Sequence, residues 1–330
     1  MVGKRKHMGS ADERRREAAR ILLSVCADAK PDEKLLFVTD DTSREIAALM
    51  WEASREYPHR AMAAMTDRRM HGAEPPATVA AAMAQADVIF GITKYSMFHS
   101  DARRNAVKNG ARFANMADYS LEMMEEGGLF ADFIAQGRLC DRVSDAIVGE
   151  RVRITSGAGT DISASIAGSV PLRQYGRSLV PGSSSSPPDI ETAICAIEGT
   201  ANGTAVIDGS IPLPGLGVLQ SPIALRIEKG RIVDISGDTE ADALRKALRA
   251  MADDSVYSIG EIGIALNPEA RLRGRMLEDE GVMGTIHFGF GSNVSFGGSI
   301  ASNNHIDMIF RDPTLLVDGR AIMKAGKITI

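Results

Sequence analysis

Two polar residues interrupt the apolar run "SNNHIDMIF", Ser302 to Phe310. On a strand, His305 and Asp307 point to one face while Ile306, Met308 and Phe310 point to the other. Burying an imidazole beside a carboxylate is costly unless each finds a partner. H-x-D offers two convergent metal ligands, and His287 in "MGTIHFGFGSN" would complete a two-His-one-carboxylate face. The alternative is an Asp that only orients its neighbouring His by hydrogen bonding. Glu261 stands alone among Ile, Leu, Ala and Gly in "YSIGEIGIALNP", where an unpaired carboxylate would have to take up a proton. Glu191 opens the apolar run in "PPDIETAICAI", either as a further donor or as a strand-edge residue. Three carboxylates and two imidazoles are the donor types of a two-metal hydrolase, whose ions activate a shared water and polarise an amide carbonyl. One or two such ions would be Zn²⁺, Mn²⁺ or Co²⁺, because no Cys is well placed. Glu191 or Glu261 could instead take the proton from the metal-bound water.

The elements that must position these residues fall into two kinds. Up to about residue 150 helix and strand signals alternate. Examples are the helical "ADERRREAARILLSVCADAK", the strand "KLLFVTD", the Ser/Thr-capped "TSREIAALMWEASRE", the strand "ADVIFGITK" and the helix "YSLEMMEEGGLFADFIAQG". This alternation implies βαβ units and a parallel sheet, with ligands at the carboxyl ends of strands. Lys94, Tyr95 and His99 follow the third strand and are candidate substrate-binding residues; an exposed loop is the plainer reading. After residue 150, short β runs punctuated by Gly take over, including a hairpin turning at Glu228-Lys229-Gly230, with one clear helix at "TEADALRKALRAMADD". The fold expected is an α/β, Rossmann-like domain over 11–150 with a parallel sheet. A β-rich α+β metal-binding domain over 151–330 would follow. Residues 1–10, basic and without an apolar core, read as a disordered tail or expression remnant.

Bulk properties remove several classes. A chain of 330 residues with 44% hydrophobic and 25% charged content can bury a sizeable core. The net charge of −5, without basic tracts, gives no electrostatic basis for binding nucleic acid or a membrane surface. Cys26, Cys140 and Cys195 form no CxxC, so neither a disulfide framework nor a thiolate zinc site is expected. With no long apolar run and no signal peptide, a cytoplasmic location is expected. No GxGxxG follows the first strand, no GxSxG occurs, and "SGAGTD" reads as a turn into a strand rather than a phosphate cradle.

The ordered set "DIETA", "GEIGIALNP", "GTIHFGFG" and "NNHIDMIF" resembles the aminopeptidase T/aminopeptidase S family of metallopeptidases, and "GAGTDIS" is similar to its "GTDL" strand. The resemblance implies an aminopeptidase-like hydrolase acting on peptide or amide bonds, a homodimer, and one or two metals held by Glu191, Glu261, His287, His305 and Asp307. Those peptidases carry a Tyr seven residues after the lone His, where Val294 stands in this chain. A more distant resemblance is to the 2,5-dihydroxypyridine ring-cleaving dioxygenases, whose "LLHS" is similar to "MFHS" around His99. That likeness implies the alternative: Fe(II) held by two His and one Asp, including an H-x-D like His305 and Asp307. The family's other His aligns with Glu261. The donor inventory therefore favours hydrolysis of a small-molecule or peptide substrate.

Overall fold

The computed structural model describes residues 9–302 and 304–330. The expected tail, with His7, lies outside the described residues apart from Gly9 and Ser10. Ser10 starts helix α1 (Ala11–Ile21) through a capping box, its hydroxyl accepting from Glu13 N while Glu13 Oε2 accepts from Ser10 N. The chain forms two compact units, Met1–Phe133 with Gly176–Pro188, and Ile134–Tyr175 with Asp189–Ile330.

In the first unit, strands β1 (Leu35–Thr39), β2 (Arg60–Ala64), β3 (Val88–Ile92) and β4 (Arg112–Asn115) lie parallel in the order β2-β1-β3-β4, with Ser184–Ser185 beside β4. Helices α2 (Arg44–Ala53), α3 (Ala77–Met83) and α4 (Asp101–Lys108) connect them, as the alternating pattern requires. Leu36, Val38, Ile89 and Phe113 of the sheet pack with Val79, Met83 and Met97. Two local expectations change. Ser43 precedes α2 but makes no side-chain cap; its N–H donates to Asp40 Oδ1 instead. The single helix expected across "YSLEMMEEGGLFADFIAQG" is divided into α5 (Leu121–Glu125), a 3₁₀ turn at Gly128–Phe130, and α6 (Phe133–Ala146). Gly127, at φ +100°, takes a backbone conformation that ends a helix.

The second unit holds two antiparallel sheets of eight and seven strands. The hairpin Ile223–Glu228/Arg231–Ser236 turns through Lys229 and Gly230, both at positive φ, and helix Thr239–Ala250 follows. The seven-stranded sheet matters most for chemistry. Four of its neighbouring strands, in order, are His305–Arg311, Thr285–Gly291, Ile259–Ala265 and Glu191–Ile194. One face carries Ile262, Ile264, Ile286, Phe288, Phe290, Ile306, Met308 and Phe310, all buried, with the Phe288 and Phe310 rings 5.0 Å apart. Each such side chain contributes roughly 1.5–3 kcal/mol of burial free energy, which anchors the strands whose other face bears the polar residues. Within this unit α6 secures the Glu191 strand, since Cys140 Sγ donates to Glu191 O at 3.0 Å and Ser144 Oγ bonds Thr192 Oγ1 at 2.8 Å.

Candidate metal centre

Strand register brings the polar residues onto one face. Glu261 pairs with Gly289, which pairs with Asp307; Gly263 pairs with His287, Gly291 with His305, and Ala265 with Glu191. Directly paired residues of an antiparallel sheet share a face, so donors and small residues form a checkerboard. A Cβ on Gly263 would lie 2.1 Å from the His287 ring. One on Gly289 would lie 2.6 Å from His305 Cε1 and 2.7 Å from Glu261 Oε2. The glycines of "GEIGIA" and "HFGFG" are therefore the space that the donors occupy. Gly263→Ala should push His287 away from the carboxylates and weaken metal retention about 10–100-fold, the range seen when a ligand's supporting contacts are lost. Metal analysis after dialysis, alongside circular dichroism to check the sheet, measures this; unchanged metal content would refute it.

The resulting cluster is tight. His305 Nε2 lies 2.8 Å from Glu261 Oε2 and 3.1 Å from Asp307 Oδ1. His287 Nε2 lies 3.3 Å from Glu191 Oε2, 3.6 Å from Glu261 Oε1 and 4.0 Å from Asp307 Oδ1. Two groups could each hold a divalent ion, Glu191/Glu261/His287 and Glu261/His305/Asp307, with Glu261 common to both. Of the five candidate donors, Glu261 stands between the two imidazoles, while both imidazoles also approach Asp307. Glu191 is buried within the sheet and is no edge residue. His305 Nδ1 approaches Ser292 O at 2.8 Å, which leaves Nε2 to face the carboxylates.

Two members were missed in the sequence. Asp189 is buried two residues before Glu191, the same spacing as His305 and Asp307, and that spacing was a usable signal. Glu280 follows the short helix Met276–Asp279 and hydrogen-bonds Asp307. Its neighbours Glu278 and Asp279 serve structure instead. Glu278 pairs with Arg273 at 2.8 Å, and Asp279 accepts from Ser210 Oγ and the Arg273 and Gly274 amides. No pattern in "LEDEG" distinguishes the three.

Crowding shifts four of these carboxyl groups and both imidazoles. Burial, then the nearby carboxylates, raises Glu191 and Glu280 well above the usual range. Burial pushes Asp189 up to about 8 despite the opposing effect of His287. Burial would lower His287 and His305, but the surrounding carboxylates outweigh it and raise both. Burial would raise Asp307, yet His305 beside it holds it below the carboxylate range. Glu191 Oε2, His287 Nδ1, Asp307 Oδ1 and Asp189 Oδ1 are buried without a hydrogen-bond partner. Orphaned oxygen donors and imidazoles in one buried cluster fit a divalent cation of the Fe, Mn or Zn type.

The expected substrate-binding residues lie in the first unit, between β3 and α4. Lys94 N donates to Asp40 Oδ2 and its Nζ pairs with Asp118 at 2.7 Å. The Tyr95 ring meets His71 edge-on, and the His99 ring meets Phe98.

The NicX family model, described as 2,5-dihydroxypyridine 5,6-dioxygenase, matches residues 23–330. The chain belongs to this dioxygenase family. A curated 2,5-dihydroxypyridine 5,6-dioxygenase from Pseudomonas putida KT2440 is 30% identical over 187 residues, which cover 54% of this chain. The alignment spans about half of that relative, 53% of its length. Among solved structures, 2,5-dihydroxypyridine dioxygenase from Pseudomonas putida KT2440 has a TM-score of 0.77 at 21% identity, covering 97% of this chain and 96% of the other. Wild-type AmpT from Thermus thermophilus has a TM-score of 0.72 at 13% identity, covering 97% and 100%. At these identities both likenesses are of fold. The expected hydrolase and protease assignment is overturned, since the family and its curated member are dioxygenases and the aminopeptidase likeness is one of fold. The donors alone could not decide this, because carboxylates and imidazoles serve hydrolytic and oxidative metals alike. No helix among the described residues is long and apolar enough to cross a membrane.

Proposed function

We propose that this protein is a divalent-metal-dependent dioxygenase that opens a hydroxylated pyridine or a related aromatic ring. The observation that carries the reading is the family match over residues 23–330, which includes every donor of the buried cluster. Glu261, His305 and Asp307 would hold the metal, with Glu261 standing where the resemblance puts the family's second His. When bound, Fe(II) would supply Lewis acidity and a redox-active centre, with the electrons that reduce O₂ coming from the ring itself. Glu280 hydrogen-bonds Asp307, and its carboxyl is raised by burial while that of Asp307 is held low by His305, which favours the shared proton on Glu280. Glu191, with Oε2 3.3 Å from His287 Nε2, is the candidate for proton exchange with that imidazole.

The test is oxygen uptake by protein loaded anaerobically with Fe(II) and then given 2,5-dihydroxypyridine and air. One O₂ consumed per ring lost, with the ring's ultraviolet absorbance disappearing, is the expected result. Absence of uptake with iron bound would overturn the reading.

A further inference from the structure

Among Glu191, Glu261, His287, His305 and Asp307, the cluster opens to solvent at His305. The side chain of His305 is 24% exposed, whereas those of Glu191, Glu261, His287 and Asp307 are 4% exposed or less. At that opening stands Phe296, whose ring lies against the His305 imidazole with centroids 5.7 Å apart and planes 23° apart. Phe296 is half-buried and is the only aromatic residue between the His287 and His305 strands.

Its place is fixed by a built loop. Asn293 is fully buried, donates from Nδ2 to Glu198 Oε1 at 3.1 Å, and accepts at Oδ1 from Ile300 N at 2.7 Å. Its carbonyl accepts from the N–H groups of Phe296 and Gly298. Glu198 also accepts from both the N–H and the hydroxyl of Ser299 at 2.7 Å. A Cβ on Gly260 or Gly298 would lie 2.6 or 2.2 Å from Asn293 atoms, so those glycines make room for the Asn293 side chain. Val294, where the resembling peptidases have Tyr, is 56% exposed and offers no polar group. An aromatic ring held against the open imidazole, with the apolar Val294 two residues before it, suits a planar ligand better than a polar chain.

We infer that Phe296 is a specificity-determining residue, the aromatic wall on which the ring of a planar substrate stacks as it meets the metal at His305. The inference deepens the proposed function and rests on the ring substrate of that reading. An offset aromatic pair is worth about 0.5–1.5 kcal/mol, equivalent to an affinity change of roughly two- to tenfold.

The test is equilibrium titration of the anaerobic Fe(II)-loaded protein with 2,5-dihydroxypyridine, and separately with 2-hydroxybenzoate as a second planar ring. Bound iron is quantified in every sample. Phe296→Ala and Phe296→Leu are expected to weaken ring binding about two- to tenfold with unchanged iron, and Phe296→Tyr to restore it. The Leu variant keeps bulk against His305 without a π-face, so it separates stacking from simple support of the ligand. If 2-hydroxybenzoate binds and shows this pattern while dihydroxypyridine does not bind, the proposed substrate fails and the inference stands. Wild-type affinity in Phe296→Leu with iron intact overturns the inference alone. Failure of the loaded wild-type protein to bind either ring overturns both.

Discussion

Glu261→Gln is expected to strip the protein of its metal while leaving its sheet folded. Glu261 is the one residue common to both candidate groups, with Oε1 turned to His287 and Oε2 to His305. The substitution keeps side-chain volume in a site where Gly289 leaves only enough room for the donors, so packing against the strand survives. What is lost is the negative charge between two imidazoles. An amide presents one neutral acceptor, and its NH₂ cannot ligate a cation. Loss of a supporting contact alone typically costs 10–100-fold in metal affinity, so loss of the shared ligand should cost about 100-fold or more. Glu191→Gln, which touches only the His287 group, should cost less. Metal content after dialysis gives the ranking, and turnover in added Fe(II) should follow it. Equal retention by Glu261→Gln and wild type would show that the centre is elsewhere.

Much of this arrangement could be read from one-dimensional periodicity. Alternation put His305 and Asp307 on one face, and isolation in an apolar run marked Glu261. The change from βαβ spacing to short Gly-rich strands marked the passage from a parallel to an antiparallel architecture. What alternation cannot supply is the alignment between strands. The bulge between Ile259 and Glu261 shifts the register beside the His287 strand and helps set which donors meet. Hence periodicity named Glu191, Glu261, His287, His305 and Asp307 as candidate donors, while strand register decides their grouping, with Glu261 common to both candidate sets. Glu280 was hidden for a different reason: it comes from a short helix, so no strand period links it to the site. Donor types alone left hydrolysis ahead of the dioxygenase alternative, because donor atoms specify which cations bind, and the chemistry depends on what the bound cation and substrate then do. The family match supports the alternative.

Removing the metal should destabilise the protein measurably. Asp189, Glu191, Glu261, Glu280 and Asp307 converge around His287 and His305, and four of the buried donor atoms lack a hydrogen bond. Carboxyl groups crowded out of water must either repel one another or take up protons, and each unpaired buried polar atom carries a desolvation cost. A divalent cation relieves both at once, and because it binds the folded state its binding free energy adds to stability. At 100 times its dissociation constant that gain is about 2.7 kcal/mol. With a shift of about 2–4 °C per kcal/mol for domains of roughly 150–250 residues, chelation should lower the melting temperature by roughly 5–10 °C. Asp189→Asn sharpens the test. It replaces an orphaned carboxyl group, which burial drives toward its protonated form, by an amide that is neutral at every pH and can donate to its neighbours, so the chelated variant should melt above chelated wild type. The gap between its loaded and chelated forms should correspondingly narrow. Calorimetry of the four samples decides: if chelation leaves wild-type melting unchanged, the carboxylates are balanced by their own protons and the cluster does not need a cation to fold.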